Sequence, residues 1–180
     1  RSYRKIPCVG RSGGRRIDIE TMSRSFIVWR TDHGTDDSIA DQAMTTGLSP
    51  WVPGTMGFEQ TYSGSKPWKG PGPYETPEHI YLNRLGYEAA FAIVPGEGGV
   101  NNPAWVSYVR KSLGAYKDVQ PYFYGDFYPL APYSLDEQSW TAWEWNRPDT
   151  KDGIAILLRR PHSPFTALQL GLRHIAAAAT

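Results

Sequence analysis

Trp29-Arg30-Thr31-Asp32 puts an aromatic ring, a guanidinium, a hydroxyl and a carboxylate into four consecutive residues at the end of the β-prone run Phe26-Ile27-Val28. His33-Gly34 then breaks the run. A strand of a parallel barrel delivers its last side chain to the face where loops shape a pocket, so Asp32 is the carboxylate best placed to act on a bound ligand. A strand-end Asp two residues before a Gly also fits a turn or a helix cap, although Asp36 and Asp37 stand closer to the next helical pattern and are the better caps. Trp29 suits barrel core and a stacked sugar face equally. Arg30 suits a structural carboxylate or a substrate, and His33 reads as an exposed loop histidine.

Composition narrows what that ligand is. The chain has 180 residues, 19 Lys and Arg against 18 Asp and Glu, and 40% hydrophobic residues, enough for a real core. Its charges are scattered, without the basic stripe of a nucleic-acid binder or a polybasic membrane patch, so neither nucleic acid nor membrane is an expected partner. A sugar or other neutral ligand fits better. The single cysteine, Cys8, excludes an internal disulfide and leaves no metal-binding cluster, so no metal site is expected. No run of 18 apolar residues occurs.

The elements that must position Asp32 alternate strand and helix signals over the first 119 residues. Asp18 reads as an N-cap with Glu20 in the first turn and Ile19, Met22 and Phe26 on one helical face. Residues 37–46 read as a helix with Ile39 and Ala43 inward and Gly47 as its C-cap. Leu48 to Val52 reads as a strand stopped by Pro53-Gly54. Residues 58–76, rich in Gly, Pro, Ser and Lys with Tyr62, Trp68 and Tyr74 interspersed, are too long for an ordinary connector and read as a binding loop. Pro77 starts a helix through Arg84, and Ala89 to Val94 is an apolar strand of the kind buried in parallel sheets. Asn102-Pro103 is a cap and first-turn pair for a helix with Trp105, Val109, Leu113 and Tyr116 on one face. Three strand-helix units imply parallel pairing.

After the aromatic bridge Tyr122 to Pro129, strands follow without helices: Trp140 to Asn146, Ile154 to Arg159, and Thr166 to His174, where Leu168, Leu170 and Leu172 share a face. Pro148 to Gly153 supplies a turn. The fold class is therefore α/β, with a barrel or a doubly wound sheet over 1–133 and the beginning of an antiparallel β domain over 134–180. The chain opens on Arg1 and ends uncapped after a strand-like segment, so both ends are expected to be cut; the true N-terminus is expected upstream, and a cytoplasmic rather than secreted location is favoured.

Four ordered motifs carry a resemblance: Ser12-Gly13-Gly14-Arg15-Arg16-Ile17-Asp18, Trp29-Arg30-Thr31-Asp32, Gly47-Leu48-Ser49-Pro50-Trp51-Val52-Pro53, and Tyr124-Gly125-Asp126-Phe127-Tyr128-Pro129-Leu130. Together, over nearly the whole chain, they resemble the successive signatures of glycoside hydrolase family 36, the α-galactosidases or melibiases. The resemblance implies the C-terminal part of a (β/α)8 barrel followed by the start of an antiparallel β-sandwich, and a retaining exo-α-galactosidase acting on α-galactoside oligosaccharides without a cofactor. It implies that Asp32, with Thr31 where the family has Ser, is the general acid/base, and that Ser12, Gly13, Trp29 and Arg30 contact substrate. A homo-oligomeric assembly of the full-length protein is left open.

Two departures bear on the site. The family's nucleophile lies in a Lys-x-Asp motif that is absent here; Lys151-Asp152 is the nearest look-alike and falls in a turn of the β domain, so the nucleophile is expected upstream of Arg1 and the 180-residue fragment is expected to be inactive. Pro7-Cys8-Val9-Gly10-Arg11 is unlike the run that precedes Ser-Gly-Gly in the family, with Cys8 two residues early, so no sugar contact is carried onto Cys8. Two alternatives remain. One is a carbohydrate-binding module built on Trp140, Trp143 and Trp145. The other is a related enzyme such as an α-N-acetylgalactosaminidase or a galactosyl transferase.

Overall fold

Parallel strands separated by helices make up the first half of the chain in the computed structural model, which describes residues 8–9, 17–23, 27–29, 38–52, 55–58, 77–93 and 101–173. β1 (Cys8–Val9), β2 (Ile27–Trp29), β3 (Thr55–Phe58) and β4 (Ala90–Ala92) lie in that order in one sheet, each neighbour parallel to the next. Between them run α1 (Ile19–Ser23), α2 (Ser38–Leu48) and α3 (Pro77–Leu85), and α4 (Pro103–Val119) follows β4. Parallel strands need a crossover that returns the chain to the same edge, and a helix supplies it.

The boundaries depart from the sequence pattern in instructive places. α2 does not end at Gly47 but continues to Leu48, and the expected strand Leu48 to Val52 is a turn, with the Trp51 and Val52 amides both donating to the Leu48 carbonyl at 2.9 Å. Those backbone groups close the helix and are lost to any sheet. The strand forms beyond Pro53-Gly54, so that dipeptide precedes β3 instead of stopping a strand. Ile19, expected on an inward helical face, is 91% exposed, because α1 spans only five residues and presents its first turn to solvent.

α4 begins as read. The Asn102 side chain accepts from the amides of Ala104 and Trp105, with Pro103 in the first turn. Its buried face is Trp105, Tyr108, Ser112 and Tyr116, rotated from the expected Val109 and Leu113, which are half-buried. Ser112 explains the rotation. Its hydroxyl donates to Asn83 Oδ1 of α3 at 2.9 Å, and its carbonyl accepts from the Tyr87 hydroxyl, so a small polar residue takes the close contact.

A 3-10 turn, Gln120–Tyr124, leads into the antiparallel sheet β5 (Asp126–Pro129), β6 (Trp140–Arg147) and β7 (Asp152–Arg159), in that order. The sheet thus begins at Asp126, ahead of residue 134. The expected strand at Thr166 to His174 is not formed: residues 166–173 carry no strand, and His174 lies outside the described residues. Alternation alone does not make a strand without a partner edge. The chain after β7 is tied to the sheet ahead of this segment, where the Arg159 guanidinium donates to the carbonyls of Ser163 and Phe165 and the Trp140 indole donates to Phe165, and again at its end, where the Arg173 amide donates to Glu144.

The core joins the two halves. Leu85, Tyr87 and Ala89 meet Tyr116 of α4, then Phe123, Trp143, Trp145 and Leu158. Ring contacts run through it in sequence: Tyr87 to Tyr116 at 5.4 Å, Tyr116 to Phe123 at 6.3 Å, Phe123 to Trp145 at 4.8 Å and Trp145 to Trp143 at 6.2 Å. Most of these pairs meet edge to face, the arrangement ring quadrupoles favour.

Candidate active-site edge and the buried arginine behind it

The C-terminal edge of the parallel sheet is the place to look for chemistry, since ligands bind there in open and closed parallel sheets alike. β2 lies inside the sheet, paired on both sides, with Val28 beside Val9 and Thr55. Trp29 is its last residue, as the sequence pattern implied, and sits in register with Met56. Phe58 and Ala92 close β3 and β4 and are themselves paired. Asp32 follows Trp29 by three residues and lies outside the described residues, together with Ser12, Gly13 and Arg30. Of the expected site, the structure places the backbone of Trp29.

Other candidates resolve into structural roles. Asp152 lies opposite Arg147 in the β6–β7 hairpin, and the two side chains form a two-pronged ion pair, supported by the Thr150 hydroxyl. Hydrogen bonding from Arg147 and then Thr150 holds the Asp152 carboxyl below its ordinary range. Arg147 also covers the Tyr122 ring at 4.3 Å. Asp152 is therefore a hairpin brace, and Lys151 beside it takes the left-handed turn position at φ 56°. Trp143 and Trp145 are 2% and 3% exposed and belong to the core, while Trp140 is tied by its indole to Phe165. A sugar platform needs open ring faces, so the binding-module alternative loses the tryptophan surface that suggested it.

Gly125 has a packing reason. A Cβ there would stand 2.3 Å from the Asn146 carbonyl oxygen, a contact no side chain can make, so β5 can start this close to β6 only at a glycine. Asp126 beside it is exposed and pairs in register with Asn146.

Sequence patterns did not reveal the most constrained polar group. Arg160, the residue after β7, is 1% exposed. Its guanidinium donates to Gln42 Oε1 at 2.9 Å, to the carbonyls of Asp136 at 2.7 Å and Ser134 at 2.9 Å, and to the Ser139 hydroxyl at 3.0 Å. Burial lowers its pKa from the usual guanidinium value. The Gln42 amide then donates to the Tyr81 hydroxyl at 3.1 Å. Burial raises the Tyr81 pKa, with the Gln42 bond and the Arg160 charge opposing that rise. Only Arg-Arg-Pro after an apolar strand hints at it in the sequence.

A half-open groove of about 560 Å³ lies between α3, α4 and β7, lined by Ile80, Tyr81, Arg84, Val119, Ile156 and Leu158 among others. None of its lining residues comes from the parallel strands. Among the described residues no group of three or more His, Cys, Asp or Glu side chains is placed to hold a metal ion, and no helix is long and apolar enough to cross a membrane.

No family model matches the chain, and no curated protein sequence matches it. Among solved structures, the galactosidase domain of alpha-galactosidase-sucrose kinase, AgaSK, is similar to 85% of this chain, with a TM-score of 0.59 and 16% identity. The chain spans 20% of that chain. At this identity the likeness bears on the fold: a mixed α/β arrangement like that found in the galactosidase domain.

Proposed function

We propose that the chain is part of a retaining exo-α-galactosidase, its parallel half belonging to the C-terminal portion of a (β/α)8 barrel and its antiparallel half to the start of a β-sandwich. The observation that carries this reading is the likeness to a galactosidase domain over 85% of the chain, combined with Asp32 following the C-terminal end of an interior parallel strand. The four ordered motifs supply the residue assignments.

In this reading Asp32 is the general acid/base. It protonates the glycosidic oxygen as the nucleophile attacks the anomeric carbon, then removes a proton from the water that releases galactose. The nucleophile comes from outside the 180 residues, and the two carboxyl groups approach to roughly 5 to 5.5 Å, as retaining enzymes require. That proximity, together with limited solvation, raises the Asp32 pKa enough for it to start protonated. Ser12, Gly13, Trp29 and Arg30 hold the galactosyl unit. Double displacement with two carboxyl groups calls for no metal or organic cofactor.

Replacing Asp32 by Asn in the full-length protein tests the assignment. On an α-galactosyl disaccharide, whose leaving group needs a proton, kcat/KM should fall by about 10² to 10⁴. On a dinitrophenyl α-galactoside, whose leaving group needs none, it should change far less. Equal losses on both would remove Asp32 from the acid role. Hydrolysis of an aryl α-galactoside by the purified 180-residue chain would place the nucleophile inside it and overturn that part of the reading.

A further inference from the structure

We propose that the groove between α3, α4 and β7 receives an extended segment of a partner protein, which pairs along the free edge of β7 and sets one acidic and one basic side chain against Arg84 and Asp118. None of the residues lining the groove belongs to the proposed sugar site, so the galactosidase reading and this one stand or fall separately. β7 is the outer strand of its sheet, in the order β5-β6-β7, and residues 153–158 make no hydrogen bond beyond the ladder with β6 among the described residues. Their outward amides and carbonyls are a template for one more strand. All five residues from Ile154 to Leu158 line the groove. Neighbours in a strand point to opposite faces, so a groove that touches five in a row runs along the strand's edge.

Edges of this kind are ordinarily blunted by lysine, proline or a bulge. The run Ile154-Ala155-Ile156-Leu157-Leu158 has no charge and no proline, and its register with β6 is unbroken. Ile154, Ile156 and Leu158 face the aromatic core, so an added strand brings alternate side chains against Ile80 of α3 and Val119 of α4, and the intervening ones beside Leu157, which is 45% exposed. Charge narrows the occupant further. Arg84 lines the groove from α3 and Asp118 from α4; both are exposed, and neither side chain has an ion pair or hydrogen bond among the described residues. Two opposite, unmatched charges in one apolar groove favour a segment that carries both signs over one that is wholly apolar or of a single sign. The β7 edge of a second copy does not meet that need. Its flanking Asp152 and Arg159 are already bound, to Arg147 and to the carbonyls of Ser163 and Phe165.

The test measures binding of fluorescein-labelled decapeptides to the full-length protein by anisotropy, the peptides alternating valine with threonine and carrying one glutamate and one lysine at scanned positions. At least one arrangement should bind saturably. N-methylation of one alternate set of its amides should weaken binding by about tenfold or more, and of the other set far less. Arg84→Glu should cost a similar factor, and exchanging the peptide's glutamate for lysine should restore most of it, a rescue that a merely destabilised groove would not show. Asp118→Lys should behave likewise toward the peptide's lysine. Both positions are exposed, so these variants leave the core undisturbed. Absence of binding by every peptide, or binding indifferent to N-methylation or to the charge exchanges, overturns the proposal. So does full-length protein whose outward amides at 154–158 are already protected from hydrogen exchange: a segment of the same polypeptide is then the occupant if the protein sediments as a monomer, and a second copy if protection falls on dilution together with a dimer.

Discussion

β1 to β4 of the parallel sheet are two to four residues long, whereas β6 and β7 of the antiparallel sheet run for eight each. β6 is buried on both faces: Trp143 and Trp145 point into the aromatic core, and Ala142 and Glu144, both 0% exposed, lie on the other side beneath the chain that returns after β7. β2 of the parallel sheet ends three residues before the proposed acid/base, Asp32. The antiparallel half, which carries none of the candidate catalytic residues, supplies much of the core and reaches back to α2 through Arg160. The contrast teaches that the larger share of the packing lies with one sheet and the proposed site with the other, and that the two are tied by a few buried groups.

The sharpest way to break this comparison is to empty the core on the antiparallel side. Trp143→Ala should destabilise by about 3–5 kcal/mol in chemical denaturation, the usual cost of deleting a buried large aromatic. Trp51, 83% exposed at the end of α2, is the control; Trp51→Ala should stay within about 0.5 kcal/mol. If Trp143→Ala unfolds one sheet while hydrogen exchange shows the other intact, the shared core does not couple the halves.

Gly125→Ala should cost roughly 1–3 kcal/mol, because the added methyl meets backbone of β6, which cannot turn aside as a side chain can. A neutral result in thermal denaturation would mean that β5 can move away from β6 at no cost. Asn102→Ala, which removes the cap of α4, should cost about 1 kcal/mol by the same measurement, and the loss should be felt in both halves because α4 packs between them.

The smallest effect concerns the hairpin brace. The Asp152 carboxyl is held below its ordinary pKa by Arg147, so it binds its proton more weakly in the folded state than in the unfolded one. Its contribution is present above the unfolded pKa and is lost as pH falls through the lower folded value. Asp152→Asn should therefore flatten the acid end of the melting-temperature profile and change little near neutrality. An unaltered acid limb would show that the pair contributes nothing, as exposed ion pairs often do.

Much of the element order was legible because it rests on local signals. Asn102-Pro103 caps a helix by its own side chain and its own missing amide, and Pro77 starts one for the same local reason. The Phe26-Ile27-Val28 run and its Gly34 break place Trp29 at a strand end without reference to anything distant. The errors lie where identical local signals admit two outcomes. Leu48 to Val52 has strand-like apolar residues, yet its amides are consumed by the helix before it. Leu168, Leu170 and Leu172 alternate well but pair with no strand among the described residues. Trp140, Trp143 and Trp145 looked like a binding face, and the burial of Trp143 and Trp145 depended on which side of β6 met Tyr116 and Phe123.

By itself the sequence determined the helices that begin near Ser38, Pro77 and Pro103, the Asn102 cap, the end of β2 at Trp29 and the turn of the β6–β7 hairpin, because each depends on residues within a few positions of one another. Only the tertiary structure decided which tryptophans are core, that Gly125 must lack a side chain, and that Arg160 is buried against Gln42. Those facts depend on contacts between residues as much as 118 positions apart, and no local pattern records which distant surface a side chain will meet.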